Sequence, residues 1–414
     1  MYKDFVGYGC LAELRPIIED HSIKSSDHAI LNSVSPKLLR GMCALVLGIV
    51  LVAGLWPFHA PRNDVSWLSE GTGVLFGKHG SIVSASPFRA HGSQGNNSCS
   101  LEIWLKPTRV DSGGIILAFY WPENRVVPFA LRQFQGGLVL ERGLRSRFDE
   151  KDEIYVGNVL NMQEPVLVTI TSGSAGTATY VDGSLVKRVP NFAISNRDLM
   201  GQLVVGNAPS TTYNWSGQVR GLAVYDRELS AADVSQGFLD WTNGGQRSSA
   251  AMGSVVARYL FDEGKGNIVH NQVDSATDLL IPKRFFVLHE QFLERPWDEY
   301  HPDWRYWKNL AINVIGFIPL GFFFYAYFSQ VQRCDNSVAL TIALGFAVSL
   351  TIEVSQAFLP TRDSGMTDLV TNTLGTAIGV MVFRLGVIQA VIAAMGCVPR
   401  DPGFQWCRPK AGRE

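Results

Sequence analysis

Hydrophobic and polar positions follow two different rules along this chain. In four stretches, residues 42–58, 310–328, 338–359 and 369–383, apolar residues run on with few charges among them. Between the first two stretches, short apolar or alternating runs are separated by turn residues. A membrane-spanning helix needs roughly 20 mostly apolar residues, with roughly 17 as the lower limit. The four stretches hold about 17, 19, 22 and 15 residues, the last extendable at either end, and predict four crossings. An anchor is favoured over a cleaved signal at 42–58, because the preceding segment is too long for an n-region and Ala60 is followed by Pro61.

The region 63–282 predicts an antiparallel sandwich. Runs such as Leu101-Glu-Ile-Trp-Leu105, Val166-Leu-Val-Thr-Ile-Thr171 and Val219-Arg-Gly-Leu-Ala-Val-Tyr225 have strand length and strand composition. Asp182-Gly183, between Thr177–Val181 and Ser184–Val186, supplies the positive φ of a hairpin turn. Ser230-Ala-Ala-Asp233 marks a capped helix start. Asp149-Glu-Lys-Asp-Glu153, beside Arg145 and Arg147, reads as a solvated loop, with a calcium or sugar contact as the other option.

Polarity predicts direction. Lys37 and Arg40 precede the first run and Trp56 ends it, so the N-terminus is expected in the cytoplasm and the sandwich outside. Arg295, Arg305 and Lys308 then lie outside, against the positive-inside rule, but the first anchor usually dominates. The expected organisation is a cytoplasmic segment 1–40, a first helix 41–58, the sandwich 63–282, an interfacial linker 283–309 rich in Trp and Tyr, a three-helix module 310–385 and a cytoplasmic tail 386–414. Residues 387–398 are expected along the inner surface. The fold class is multi-domain: an α-helical membrane bundle with an inserted all-β sandwich.

Composition narrows the partners. The 414 residues carry a formal net charge of −1 and only 18% charged residues, which argues against a nucleic-acid binder. The six cysteines, Cys10, Cys43, Cys99, Cys334, Cys397 and Cys407, have no zinc-site spacing, and only Cys99 falls in the sandwich region. No metal and no cofactor is expected.

Chemistry concentrates in residues 349–379. On expected helix directions, Asn313, Glu353, Gln356, Asp368 and Asn372 reach one depth on the outer side, next to Arg362 and Asp363 in the loop. Gly345, Ser349, Glu353 and Gln356 share one helix face, as do Asp368, Asn372, Gly375 and Gly379. Gly345, Ser349, Gly375 and Gly379 would let helices approach closely. Ionisable groups at such depth are a functional hypothesis by default. Three readings stay open: mutual satisfaction, with Glu353 neutralised by a proton or by Arg362; a head-group or saccharide site; a catalytic or proton-relay role.

Two resemblances sit on these residues. Tyr180-Val-Asp-Gly183, Leu203-Val-Val-Gly-Asn207, Trp215-Ser-Gly217, Gly221-Leu-Ala-Val-Tyr225 and Arg227-Glu-Leu-Ser230 resemble a concanavalin A-like, laminin-G-type jelly roll. That resemblance implies a fold often used to bind polysaccharide or protein. The strand carrying alternating catalytic carboxylates in sandwich glucanases has no counterpart here, so no catalytic residue is assigned. Asn313-Val-Ile-Gly-Phe317-Ile-Pro319-Leu-Gly321-Phe322, followed by Ser349, Glu353, Gln356, Pro360, Arg362, Asp368, Asn372, Gly375 and Gly379, resembles the VanZ-like membrane family. That family is named after a teicoplanin-resistance protein and usually has a short loop where this chain carries the sandwich. The resemblance implies a bacterial inner-membrane envelope protein. Its expected partners are the lipid bilayer and a glycan or lipid-linked saccharide, with polysaccharide metabolism or glycopeptide resistance as the context. A non-catalytic scaffold whose sandwich docks an envelope protein is the alternative.

Overall fold

The computed structural model describes residues 35–89, 97–144, 152–210, 213–243, 254–290, 292–300 and 304–386. Most of the expected N-terminal segment, positions 149–151 of the Asp149–Glu153 run, and the tail with its surface segment at 387–398 lie outside the described residues, as do Cys10, Cys397 and Cys407. The chain divides into two compact units. One comprises Leu51–Leu310 with Val348–Val370, the other Met1–Val50 with Ala311–Ala347 and Thr371–Glu414.

The larger unit contains a sandwich of two antiparallel sheets. The first runs in the order β1 (Val65–Trp67), β2 (Val74–Phe76), β13 (Gly217–Tyr225), β4 (Cys99–Pro107), β9 (Val166–Gly173), β10 (Gly176–Val181), β11 (Ser184–Val189), with β14 (Val255–Tyr259) also paired to β13. The second runs β15 (Ile268–Val269), β16 (Leu279–Leu280), β3 (Ile82–Ser84), β12 (Gln202–Val205), β5 (Gly113–Trp121), β6 (Val126–Phe134), β7 (Gly137–Leu144), β8 (Asp152–Val156). The alternation of each strand decides its two faces. Leu101, Ile103 and Leu105 of β4 join Val168 and Ile170 of β9, Phe129 and Leu131 of β6, and Leu203 and Val205 of β12 in the core between the sheets.

The hairpin β10–β11 turns at Asp182 and Gly183, both at positive φ as the Asp-Gly pair predicts. Its outer strand β11 is the edge of the first sheet, is exposed along nearly its whole length, and pairs to β10 across a bulge between Thr179 and Tyr180. The acidic run departs from expectation at its end. Asp152 and Glu153 are strand residues of β8, not loop residues, because Arg142 pairs with Asp152 and Arg132 lies 3.7 Å from Glu153 across the sheet.

A second cluster forms on the outer face of the first sheet, where helix α2 (Ala231–Thr242) packs on Leu167, Tyr180, Ala223 and Tyr225 through Val234 and Trp241. Gly221 is required there, since a Cβ would overlap the Trp241 ring. Ser230 Oγ accepts from the Asp233 amide and the Asp233 carboxylate accepts from the Ser230 amide, a reciprocal capping box. The Arg227 guanidinium, aided by Ser230, holds the Asp233 carboxyl at about 2. This cap therefore contributes stability above the ordinary carboxylate range and loses it as pH falls through about 2. Beneath the helix, the fully buried Glu102 accepts hydrogen bonds from Tyr225 Oη at 2.8 Å and Trp241 Nε1 at 2.9 Å.

Among the described residues four helices are long and apolar enough to cross a membrane: α1 (Pro36–Leu55), α4 (Trp304–Ala326), α5 (Ser337–Gln356) and α6 (Met366–Arg384). The short α3 (Pro296–Glu299) precedes α4. Helix α4 begins at Trp304, earlier than the apolar run, and α5 stops at Gln356, short of Leu359. Pro360 disfavours helical backbone at the residue before it, and Leu359 N–H and Arg362 N–H instead close tight turns onto Gln356 O and Leu359 O. In the smaller unit the glycines make close approaches. A Cβ at Gly375 would overlap the Val314 carbonyl, one at Gly379 the Ile318 carbonyl, and one at Gly345 the Thr376 side chain.

Removing the Glu102 carboxylate takes the acceptor of two hydrogen bonds from buried donors, a loss of roughly 1–3 kcal/mol each. Glu102→Ala is expected to destabilise the sandwich by about 3 kcal/mol. Glu102→Gln keeps an acceptor oxygen and is expected to cost less, and Ser230→Ala about 1 kcal/mol through the lost cap. Denaturant unfolding of the full chain, followed by tryptophan fluorescence, measures all three.

Candidate functional site

The last turn of a helix leaves backbone carbonyls without intrahelical partners. At the end of α1, Val52 O accepts from Trp56 N–H and Leu55 O from Phe58 N–H. Gly54 O accepts from Gln356 Nε2 at 2.7 Å, and Trp56 O from Arg362, whose Nε lies 3.1 Å away and whose Nη2 donates as well. A cation at a helix C-terminus also complements the helix dipole. Gly54 permits the approach of α5, since a Cβ there would fall 2.9 Å from two Ile352 carbons.

Glu353, 1% exposed, lies one turn below Gln356 on the same face. Its Oε2 accepts from the Gly365 amide at 2.9 Å. Of the two ways of neutralising Glu353 left open above, the pairing with Arg362 does not form, because Arg362 is drawn to the α1 terminus and Glu353 to the loop backbone. That loop is itself held in strand fashion. Glu294 N–H donates to Ser364 O and Met366 N–H to Glu294 O, both at 2.9 Å, and Leu293 N–H reaches Ser364 Oγ at 3.3 Å.

A second carboxylate closes the other side of the loop. A Cβ on Gly365 would overlap the Glu299 carboxylate, and Glu299 Oε1 accepts from Thr367 N–H at 3.4 Å. Burial pushes the Glu299 carboxyl up, and the Asp363 charge adds to it, against the amides of Thr367 and Met366. Sequence reasoning left Glu299 in the interfacial linker. Its available signal was Arg295-Pro296, a Pro at the first position of a short helix ending at Glu299.

The expected site residues thus divide. Glu353, Gln356 and Arg362 gather in one unit around the α1 terminus and the 364–367 loop. Asp363 is exposed in that loop, and Asp368 sits in the first turn of α6, where a negative charge suits the helix N-terminus. Asn313 and Asn372 belong to the other unit, Asn372 buried with Thr376 Oγ1 donating to its carbonyl at 3.0 Å. Ser349 is fully buried on the Glu353 face. Among the described residues no group of three or more His, Cys, Asp or Glu side chains has the arrangement of a metal site, and Cys43, Cys99 and Cys334 are free thiols.

Glu353→Ala leaves the Gly365 amide buried without an acceptor and is expected to cost about 1–3 kcal/mol, whereas Glu353→Gln keeps one. A carboxyl whose pKa is raised in the fold stabilises when protonated and loses that contribution as pH rises through its folded value. Glu299→Gln is therefore expected to raise the midpoint of thermal unfolding near pH 7 and to flatten its fall over the range of pH above the ordinary carboxylate value. Unfolding across that range checks both.

No curated protein matches the chain. Among solved structures, a Bacteroides ovatus protein provisionally assigned as carbohydrate-binding aligns at 12% identity and a TM-score of 0.36, over 53% of this chain and 58% of that one. The binding domain of botulinum neurotoxin serotype D aligns at 14% identity and a TM-score of 0.33, over 44% of this chain and 46% of that one. The ligand-binding domain of the same serotype in complex with N-acetylneuraminic acid aligns at 14% and 0.31, over 43% and 45%. This chain therefore spans about half the length of the structures it resembles. At the level of families, residues 80–235 match the concanavalin A-like lectin/glucanases superfamily and residues 254–388 match VanZ/LLP1, the two families that the sequence resembles.

Proposed function

We propose that the protein is a bacterial inner-membrane protein of the cell envelope, with an exported sandwich that binds carbohydrate and a non-catalytic helical module. The observation that carries the membrane half is the inverted polarity of the helices. Leu45 and Ile49 of α1, Ile312 and Ile315 of α4, and Leu374 and Met381 of α6 are exposed, while Ser349, Glu353, Thr371, Asn372 and Thr376 are buried. Water favours the opposite arrangement, whereas hydrocarbon favours apolar exteriors and internally satisfied polar groups. Trp297, Trp304 and Trp307, all exposed at the approach to α4, suit the head-group region.

The orientation rests on Lys37 and Arg40, which lie at the start of α1 ahead of its apolar run: both termini cytoplasmic, the sandwich outside. The carbohydrate half rests on the lectin/glucanase family match, with an envelope glycan or lipid-linked saccharide as ligand. In this reading Glu353, Gln356 and Arg362 join helix ends and loop together, since each already has a backbone partner. Any bearing on polysaccharide metabolism or glycopeptide resistance would follow from the glycan held.

Alkaline phosphatase fused after Arg62 or after Asp363 is expected to be active, and fused after Arg333 inactive; the reverse pattern overturns the orientation. The full chain in detergent micelles is expected to bind at least one envelope-derived glycan on an array. Uniform absence of binding overturns the carbohydrate half.

A further inference from the structure

The outer face of the first sheet is only partly covered by α2. Beside the helix an open groove of about 540 Å³ remains, within the roughly 300–1,000 Å³ usual for ligand pockets. The cleft lined by Phe88, Met200 and Asp226 offers only about 20 Å³, too little for more than a water or so. The other charged cluster of the sandwich is closed on itself, with Arg132 2.8 Å from Glu141 and 3.7 Å from Glu153. The groove differs from both in size and in how its polar groups are left.

Strand alternation builds its floor. Leu101, Ile103 and Leu105 point into the core, so Trp104 and Lys106 of β4 face outward, next to Arg220 of β13. The Arg220 guanidinium carbon lies 5.9 Å from the Trp104 ring centroid, and Phe238 of α2 forms an apolar wall. Glu164 and Asp182 add carboxylates. These charges are not spent on one another. Among the described residues none of Lys106, Arg220, Glu164 and Asp182 is in an ion pair. Lys106 Nζ donates to Gln163 O at 2.7 Å, Arg220 donates to Gln218 Oε1, and Asp182 Oδ1 accepts from Leu167 N–H at 2.8 Å. Donor capacity on both cations and acceptor capacity on both carboxylates remains.

The lining selects a ligand class by elimination. An apolar ligand would strip water from four charged groups without replacing their hydrogen bonds. A strongly anionic one would meet Glu164 and Asp182, and a strongly cationic one Lys106 and Arg220. Hydroxyl groups both donate and accept, so a polyhydroxylated ring satisfies both kinds of group at once. Its C–H face has an apolar partner in the half-buried indole of Trp104, over one side of which Arg220 already lies, an amphipathic ring suited to sites that are apolar on one side and wet on the other.

We propose that this groove is the carbohydrate site of the sandwich, taking a saccharide unit without strong net charge, stacked on Trp104 and hydrogen-bonded by Lys106, Arg220, Glu164 and Asp182. The assignment rests on the reading that the sandwich binds carbohydrate. The test uses the full chain in detergent micelles against chitin oligomers, peptidoglycan-derived disaccharides, and α- and β-glucan oligomers. The saccharide bound most tightly by the unaltered protein then serves as probe. Trp104→Ala is expected to weaken binding by about tenfold or more, and Trp104→Phe, which keeps a ring, by less. Thr242→Trp, which fills the groove from its rim and leaves Trp104 in place, is expected to weaken binding as much as Trp104→Ala. Unaltered affinity in Thr242→Trp overturns the site even if Trp104→Ala lowers folding stability. Binding by the unaltered protein that survives every substitution overturns the site while the carbohydrate reading stands, and no binding to any of these saccharides overturns both.

Discussion

A backbone carbonyl at the end of a helix must find a donor, either in the solvent or in the protein. The C-terminus of α1 meets this demand with Gln356 and Arg362, residues about three hundred positions away in sequence. The same stretch of chain that caps α1 carries Glu353, which holds the Gly365 amide, and Gly365 lies in the loop paired with Glu294. One helix end, one loop and the segment leading into α4 are thus tied by hydrogen bonds in which nearly every partner on one side is backbone. Such bonds specify position more than they add stability, because each one replaces an interaction that an unfolded chain would make with water or with another partner.

How much of this was legible depends on whether a feature leaves a periodic mark. The strands did, because Leu101, Ile103 and Leu105 recur every second residue, and so did the shared face of Ser349, Glu353 and Gln356. The hairpin and the helix cap are written in residue types with only a few conformational uses, Asp182-Gly183 and Ser230–Asp233. Arg362 was recognisable as important, but of its possible partners only Glu353 was weighed, as one option among several. A carboxylate is the obvious mate of an arginine, whereas a carbonyl at a helix end is defined by conformation and has no sequence signature. Glu299 escaped for a related reason: its partners are the backbone of a loop far along the chain, and a lone acidic residue in a charged segment carries no period at all. The early stop of α5 was hidden by composition, since Ala357, Phe358 and Leu359 continue the apolar run that Pro360 ends.

The two halves of the chain apply opposite rules to side-chain polarity. In the sandwich, apolar residues face inward and charges such as Lys106 and Glu164 face outward, as suits a domain in water. In the helices, Thr376 and Asn372 are inside and Leu374 and Met381 outside. A single sequence holds both patterns, each confined to its own segments, and this division is what the proposed membrane reading draws on. The glycines follow the same division: Gly183 serves a turn by its positive φ, while Gly375 and Gly379 serve contact by having no side chain.

The open edge of the first sheet has a consequence for how such molecules coexist. Strand β11 offers one free row of backbone groups, and Leu185 and Val186 on it are exposed, which is how sheets recruit strands from other chains. Lys187 and Arg188 follow directly, and the bulge between Thr179 and Tyr180 bends the pairing beside them. Positive charge and irregular register both hinder a second strand from zipping alongside. In the membrane reading proposed above, confinement to a plane would multiply the encounters that such an edge must withstand. The basic pair at the rim, of which Lys187 also donates to Tyr155 O at 2.6 Å, sets like charge against any second copy that approaches by this edge.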